Sequence, residues 1–159
     1  MLLIKNKLMI SSLVACAFLA SSAATAKPMK NGKFGVGVQL SFPTGGISVK
    51  KEMSDTLTAQ ATLGGGGFFT VIGGRGLYKF KKEPEYDIYG FGSLAYISWS
   101  GLSSSLTTVG YGAGAGIEYD VAKEITVSGE LGFFGASFGN GFTGTYGGVG
   151  IGLGAHYWF

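Results

Sequence analysis

Acid–base or nucleophilic chemistry would have to involve His156, because it is the one histidine among the 159 residues. A Ser-His-acid hydrolase needs a serine and a carboxylate beside its histidine, yet His156 is followed by Tyr157, Trp158 and Phe159. One histidine and one cysteine, Cys16, leave scattered carboxylates rather than a metal-ligand cluster. The residue types therefore predict no enzyme, no metal and no cofactor. A lipid-modifying enzyme that uses His156 is the alternative hypothesis.

Two glycine-rich segments, 112–116 and 148–154, resemble nucleotide-binding loops at first sight. Their glycines alternate with apolar residues, as in a strand, and no helix signal follows them. A phosphate site needs backbone N–H groups at the start of a helix. We therefore interpret these glycines as small residues that let the interior of a sheet pack.

The first residues have the pattern of an export signal. Lys5 and Lys7 precede an apolar stretch over 8–20, and Ala24 and Ala26 form a small-x-small triplet with the threonine between them. Signal peptidase requires small side chains at these two positions, and the apolar stretch is too short for a transmembrane helix. The pattern predicts cleavage after Ala26, with 1–26 as signal peptide and 27–159 as the mature domain.

A competing interpretation concerns Cys16, which ends a Leu-Val-Ala-Cys sequence that matches the lipobox of bacterial lipoproteins. Residues 17–20 after it are still apolar, as in the middle of a signal peptide. We favour the peptidase route, which leaves a mature chain with no cysteine and hence no disulfide. Lipid attachment at Cys16 stays an open alternative.

Composition excludes several function classes. The net charge of +3 falls to +1 once Lys5 and Lys7 are removed, because 10 basic and 9 acidic residues are left. No basic patch remains to bind nucleic acid. All 30 glycines follow residue 26, and such a glycine content would destabilise helices.

Eight runs of the mature sequence alternate apolar residues with small or polar ones, which is typical of strands with two different faces. In the first run Phe34, Val36 and Val38 share one face, with Gly35 and Gly37 on the other. The runs are 33–42, 46–53, 56–64, 68–80, 86–99, 108–120, 124–134 and 147–159.

The fourth and fifth runs are less regular than the others. In the fourth we expect Arg75 to point inward, opposite an outward face of Phe68, Ile72, Tyr78 and Phe80. In the fifth the predicted outward face comprises Tyr89, Phe91, Ala95, Ile97 and Trp99.

The apolar faces could form a soluble core or could contact lipid. The opposite faces are rich in glycine, serine and threonine, and charged residues make up 13% of the chain, whereas a solvated sheet face usually carries many charges. The runs also have the length of tilted membrane-spanning strands. The pattern therefore favours lipid contact.

The aromatic residues sort by depth if successive strands alternate in direction. One set would form a girdle at the periplasmic rim and the other at the outer rim, as membrane interfaces favour. The periplasmic set is Phe34, Tyr78, Phe80, Tyr89, Tyr119, Tyr157 and Phe159, and the outer set is Phe42, Phe68, Trp99, Tyr111 and Phe133. The predicted turns are 53–56, 81–86 and 120–124, and the predicted outer loops are 43–46, 64–67, 100–107 and 135–146.

The last strand ends with Gly154, Tyr157 and the terminal Phe159, which resemble the C-terminal assembly signal of bacterial outer-membrane barrels. Gly152 stands where that signal usually has a polar residue. With the eight runs and the export segment, the whole mature chain resembles the small OmpA/OmpX-type barrels. The resemblance implies an all-β fold, an eight-stranded antiparallel up-and-down transmembrane β-barrel, with both termini in the periplasm.

Five charged residues fall on predicted inward faces: Lys50, Glu52, Arg75, Glu118 and Glu130. Buried charges must be paired, so we expect an internal network of ion pairs. Eight strands leave an interior that side chains nearly fill, and we therefore predict no open pore.

The combined pattern predicts a non-enzymatic outer-membrane barrel with a structural or surface-interaction, adhesin-like role. Its expected partners are outer-membrane lipid, lipopolysaccharide, the barrel-assembly machinery during insertion, and an unidentified host or surface ligand. Phe138 and Phe142 in the last loop are the candidate contacts. A soluble periplasmic barrel that binds a small apolar ligand is the second alternative, and it requires the apolar faces to point inward.

Overall fold

The computed structural model describes residues 34–99, 106–138 and 144–159. Within these ranges no helix has the length and apolar character needed to cross a membrane. The predicted export segment with Cys16, Ala24 and Ala26, and the loop residue Phe142, lie outside the described residues.

The described chain forms eight antiparallel strands, each paired with its neighbours in sequence. They are β1 (Phe34–Leu40), β2 (Gly46–Glu52), β3 (Leu57–Gly66), β4 (Phe69–Lys82), β5 (Tyr86–Trp99), β6 (Leu106–Ala122), β7 (Ile125–Phe138) and β8 (Gly144–Trp158). Pairing of β1 with β8 closes the sheet into a barrel. The predicted all-β, eight-stranded up-and-down architecture is confirmed.

The register fixes the width of the barrel. Gly37 pairs directly with His156 across the β1–β8 seam. The pairing can also be followed the other way around the barrel, from β1 through β2 to β8. The successive partners are then Gly37, Ser48, Thr62, Gly73, Ala95, Gly110, Ala136 and Tyr146. Tyr146 and His156 are ten residues apart, so the shear number is 10. Eight strands with this stagger tilt by roughly 40° and enclose a space that side chains can fill.

The outer surface of the barrel is apolar and its interior is polar. On β1, Val38 is 50% exposed on the outside, while Gln39 is fully buried inside. The same alternation holds along β8, where Ile151 is exposed and His156 is buried. The predicted orientation of the apolar faces is confirmed for every strand except β5.

The prediction for β5 was wrong by one residue of phase. Tyr89, Phe91, Ala95 and Ile97 are buried in the interior, while Leu94 and Tyr96 are exposed outside. The polar residues Asp87 and Ser93 share the face of Tyr89, and Asp87 pairs with the interior Lys79. Turning this face inward gives the Asp87 carboxylate its partner Lys79. This pairing explains why the aromatic rings of the same face lie in the interior and not against lipid.

This shift also corrects the aromatic girdles. Tyr89 does not belong to the girdle at the end of the barrel where the two termini meet, which we call the terminal end. The ladder places Trp99 on the side of Ile97, and its ring contacts Phe69 at 5.3 Å between centroids. Of the remaining rings predicted outward, Tyr119 is half-buried. The other nine are exposed: Phe34, Phe42, Phe68, Tyr78, Phe80, Tyr111, Phe133, Tyr157 and Phe159.

At the opposite, loop end of the barrel, β3, β6, β7 and β8 extend further than predicted. The predicted loop 135–146 is shorter, because β7 continues to Phe138 and β8 begins at Gly144. The hairpin connection between β1 and β2 turns into the barrel, where Pro43 and Thr44 are buried. It packs on positions without side chains: Pro43 contacts Gly110 and Thr44 contacts Gly73. Here glycine is required by the close approach of the loop.

Candidate functional site: the polar interior of the barrel

Two buried ion pairs lie in the interior of the barrel. Lys50 on β2 pairs with Glu118 on β6, and Arg75 on β4 pairs with Glu130 on β7 through an Nη2–Oε2 distance of 2.8 Å. All four side chains are almost fully buried. Each pair spans the interior between strands that are not neighbours in the sheet, so the pairs link opposite walls of the barrel.

The Arg75–Glu130 pair belongs to a larger cluster of hydrogen bonds, with Glu130 at its centre. Its carboxylate accepts hydrogen bonds from Tyr89 Oη at 2.7 Å and from Gln39 Nε2 at 3.1 Å, in addition to Arg75. The Arg75 guanidinium also lies 4.5 Å from the ring centroid of Phe91, a cation–π contact. The Glu130 carboxylate thus accepts from one cationic donor, Arg75, and from two neutral donors, Tyr89 and Gln39. These hydrogen bonds offset much of the free-energy cost of removing the carboxylate from water.

A third ionic cluster lies near the terminal end. Lys79 Nζ is 2.9 Å from Glu52 Oε1 and 3.0 Å from Asp87 Oδ2. Glu52 was expected in a network with Lys50, but its partner is Lys79, which the sequence analysis missed. The signal was available, because Lys79 is four residues from Arg75 and therefore on the same face of β4.

His156 belongs to a chain of side-chain hydrogen bonds. Its Nε2 is 2.8 Å from Ser48 Oγ, and Gln60 Nε2 donates to the same Ser48 oxygen at 2.7 Å. Gln60 also donates to Gln39, which joins this chain to Glu130. The tertiary structure thus supplies a serine to His156, although none is near it in sequence.

This serine–histidine pair is enclosed. Ser48 is fully buried and His156 is 2% exposed, so a substrate has no approach to the Ser48 oxygen. Nor do the described residues contain a group of three His, Cys, Asp or Glu side chains suited to a metal ion. The arrangement can stabilise the barrel, and it does not present a reactive group at a surface.

The interior glycines of β6 and β8 make room for these large side chains. A Cβ at Gly116 would lie 2.6 Å from the Tyr89 ring, and one at Gly152 would lie 2.8 Å from Glu130 Oε2. A Cβ at Gly150 would lie 2.7 Å from the Phe134 ring. The glycine repeats are therefore one wall of the interior, against which the side chains of β5 and β7 pack.

The three residues of the predicted assembly signal lie on both faces of the last strand. Gly154 faces the interior against Gln39, whereas Tyr157 and Phe159 are exposed outside, with ring centroids 6.1 Å apart. The Phe159 N–H donates to the Phe34 carbonyl at 2.9 Å, so the terminal residue extends the β1–β8 seam. Phe138, the other described candidate contact, ends β7 and is half-buried.

Comparison with solved structures identifies the same fold elsewhere. The N-terminal β-barrel domain of Pseudomonas aeruginosa OprF is similar with a TM-score of 0.56 and 16% identity, over 79% of this chain and 95% of that one. Neisserial surface protein A (NspA) is similar with a TM-score of 0.53 and 16% identity, over 79% and 93%. No protein-family profile matches the sequence. Curated protein sequences give no match either. At this identity the similarity establishes the eight-stranded barrel fold.

Proposed function

We propose that this chain is a non-enzymatic outer-membrane β-barrel protein with a closed interior and a structural or surface-interaction role. The observation that carries the proposal is the inverted distribution of side chains. Ion pairs are buried inside the barrel, while large apolar side chains on every strand are exposed outside. In water that exposed belt would drive aggregation, whereas in a bilayer it contacts lipid.

The outward apolar faces argue against the soluble alternative. A soluble ligand-binding barrel needs its apolar faces inward, and Leu40, Ile72, Leu131 and Ile151 are each at least 59% exposed. The enclosed Ser48–His156 pair gives equally little support to a lipid-modifying enzyme, since such an enzyme needs its nucleophile at the membrane surface.

Heat-modifiability on gels tests the barrel in its membrane setting. Membranes from expressing cells are extracted, and samples are run in detergent with and without boiling. We expect the protein in the outer-membrane fraction, with a mobility that changes on boiling because the hydrogen-bonded barrel resists detergent until heated. Recovery in the soluble periplasmic fraction, with one mobility under both conditions, would contradict the proposal.

The filled interior predicts that the barrel does not conduct ions. The polar clusters span the lumen, and the buried Pro43 and Thr44 cover it toward the loop end. Purified protein in planar bilayers is expected to show no single-channel steps above the lipid background. Regular, voltage-independent steps would show that the interior is open, and a large porin measured in parallel provides the positive control.

The surface role is inferred from the loop end. Sequence segments 56–74, 88–117 and 131–159 contain no Asp, Glu, Lys or Arg, so the loop end is uncharged. Contacts with lipopolysaccharide there would be made to its acyl chains rather than to its phosphates. We further propose export through cleavage after Ala26 and insertion by the barrel-assembly machinery through the C-terminal residues. A host or surface ligand would meet the same loop end, near Phe138.

A further inference from the structure

A groove crosses the outer surface of the barrel near its loop end. It spans β6, β7 and β8, has a volume of about 620 Å³, and its lining includes Tyr111, Ala113, Phe133, Gly147 and Val149. All five residues are exposed. The volume lies in the range of ligand pockets, roughly 300–1,000 Å³. Side chains fill the interior of the barrel, whereas this groove is open on the outside.

Two paired glycines make the outer wall low at this point. Gly135 on β7 pairs with Gly147 on β8, and each lies two residues from an outward side chain, Phe133 or Val149. Gly135 is covered by the Tyr111 ring, which would lie 2.5 Å from a Cβ there. A Cβ at Gly147 would have one close neighbour in the described chain, the carbonyl oxygen of residue 134 at 3.3 Å. The wall at Gly147 is therefore uncovered.

The outer surface beside these glycines changes from polar to apolar along the strands. The next outward pair toward the loop end is Ser137 with Thr145, and both are exposed. In the other direction, beyond Phe133 and Val149, the exposed Leu131 pairs with Ile151. Hydroxyl groups, a gap over glycine and then aliphatic side chains match the junction between the polar group and the acyl chain of a lipid.

We propose that the groove holds one acyl chain of an outer-leaflet lipid, whose ester group accepts hydrogen bonds from the Ser137 and Thr145 hydroxyls. Segments 88–117 and 131–159 contain no Asp, Glu, Lys or Arg, so the lipid is recognised through neutral groups and not through its phosphate. Its methylene groups gain dispersion contacts with the Tyr111 ring. The proposal rests on the membrane location proposed above.

The shape of the groove favours a lipid chain over a second copy of the barrel. The outer wall of a closed barrel is convex, and Phe133 and Val149 protrude beside the groove with 74% and 66% exposure. These side chains would hold a second convex wall away from Gly147. A single acyl chain is flexible and can lie between the side chains of neighbouring strands, which are about 4.8 Å apart.

Photo-crosslinking tests this site. The mature chain is refolded into phosphatidylcholine vesicles that contain a trace of phosphatidylcholine with a diazirine on one acyl chain, irradiated, and mapped by mass spectrometry. Tyr96 on β5 is the matched reference for Tyr111, because it is an outward tyrosine with 50% exposure against 42%. We expect about fivefold more label on Tyr111 than on Tyr96, a preference of about 1 kcal/mol.

Two variants fill the groove from its two sides. Gly147→Leu and Ala113→Leu should each lower the label on Tyr111 to the level of Tyr96, because the added side chain takes the place of the acyl chain. Gly129→Leu is the control: it adds the same side chain to β7 outside the groove, where a Cβ meets no atom within 4 Å. It should leave the ratio unchanged.

Four outcomes would contradict the proposal. Equal label on both tyrosines, or an excess on Tyr111 that survives both groove-filling variants, would show that the groove retains no chain. An excess unchanged in the double variant Ser137→Ala with Thr145→Val would refute the contact with the ester group. An excess that falls as the ratio of protein to lipid rises would show that a second copy covers the groove. Absence of label from both tyrosines would instead refute the membrane location, which separates the two failures.

Discussion

Glu130→Gln is expected to lower the free energy of unfolding by about 3–5 kcal/mol, because it leaves the buried Arg75 guanidinium without a counter-charge. The Arg75–Glu130 pair has side chains that are 0% and 1% exposed, so water cannot replace the lost carboxylate. The measurement is urea unfolding of the refolded protein in lipid vesicles, followed by the folded band on unboiled gels. The slope of the transition should stay unchanged.

An exposed ion pair of similar length is the matched control. Lys81 and Glu83 are 2.9 Å apart, with side chains that are 56% and 37% exposed. Glu83→Gln should therefore cost less than about 1 kcal/mol. The double variant Arg75→Met with Glu130→Gln should recover part of the loss, since it removes the unpaired charge. If Glu130→Gln and Glu83→Gln shift the urea midpoint equally, then burial of the ion pair does not set the cost of losing its carboxylate.

Gly37→Ala is expected to destabilise the barrel by about 1–3 kcal/mol or more through overpacking. Gly37 lies in β1 opposite His156, and its Cβ would collide with the Ala155 carbonyl of β8. The obstacle is backbone, which cannot rotate away as a side chain can. Because β1 meets β8 along six residue pairs within the described chain, a shift at this position weakens the contact that closes the barrel.

Gly76→Ala provides the comparison for Gly37. Gly76 is in β4, and a Cβ there would meet no atom within 4 Å. The added methyl should be neutral or stabilising by up to about 1 kcal/mol, since alanine loses less backbone entropy than glycine. The two variants are measured by the same urea titration and by the folded fraction after refolding. A similar effect of both would mean that the β1–β8 seam tolerates the extra volume.

The structure also explains the difference between the regular strands and β5. In β1, and in β8 from Gly148 to His156, each outward residue is apolar and each inward residue is glycine or polar, so the pattern within the strand predicts the face. In β5 both faces carry aromatic residues, and the local pattern gives no preference. The phase is decided by contacts with other strands: Asp87 with Lys79, Tyr89 with Glu130 and Phe91 with Arg75.

The interior clusters show the same limit. Period-two alternation predicts that Lys50, Glu118, Arg75 and Glu130 point inside, because successive side chains of a strand point to opposite faces of the sheet. The partner of each charged side chain depends on the stagger of the strands in the closed barrel. The shear number of 10 sets which residues of strands that are distant in sequence lie at the same level of the interior. For that reason Ser48 meets His156 across 108 positions, and Lys79 rather than Lys50 meets Glu52.

The sequence by itself therefore determined that this protein is an eight-stranded barrel with an apolar outside, because alternation, glycine content and strand length are local properties. Tertiary structure alone decided the phase of β5, the partners of the buried charges and the serine that His156 contacts. These depend on how the sheet closes, since closure sets which side chains share the interior.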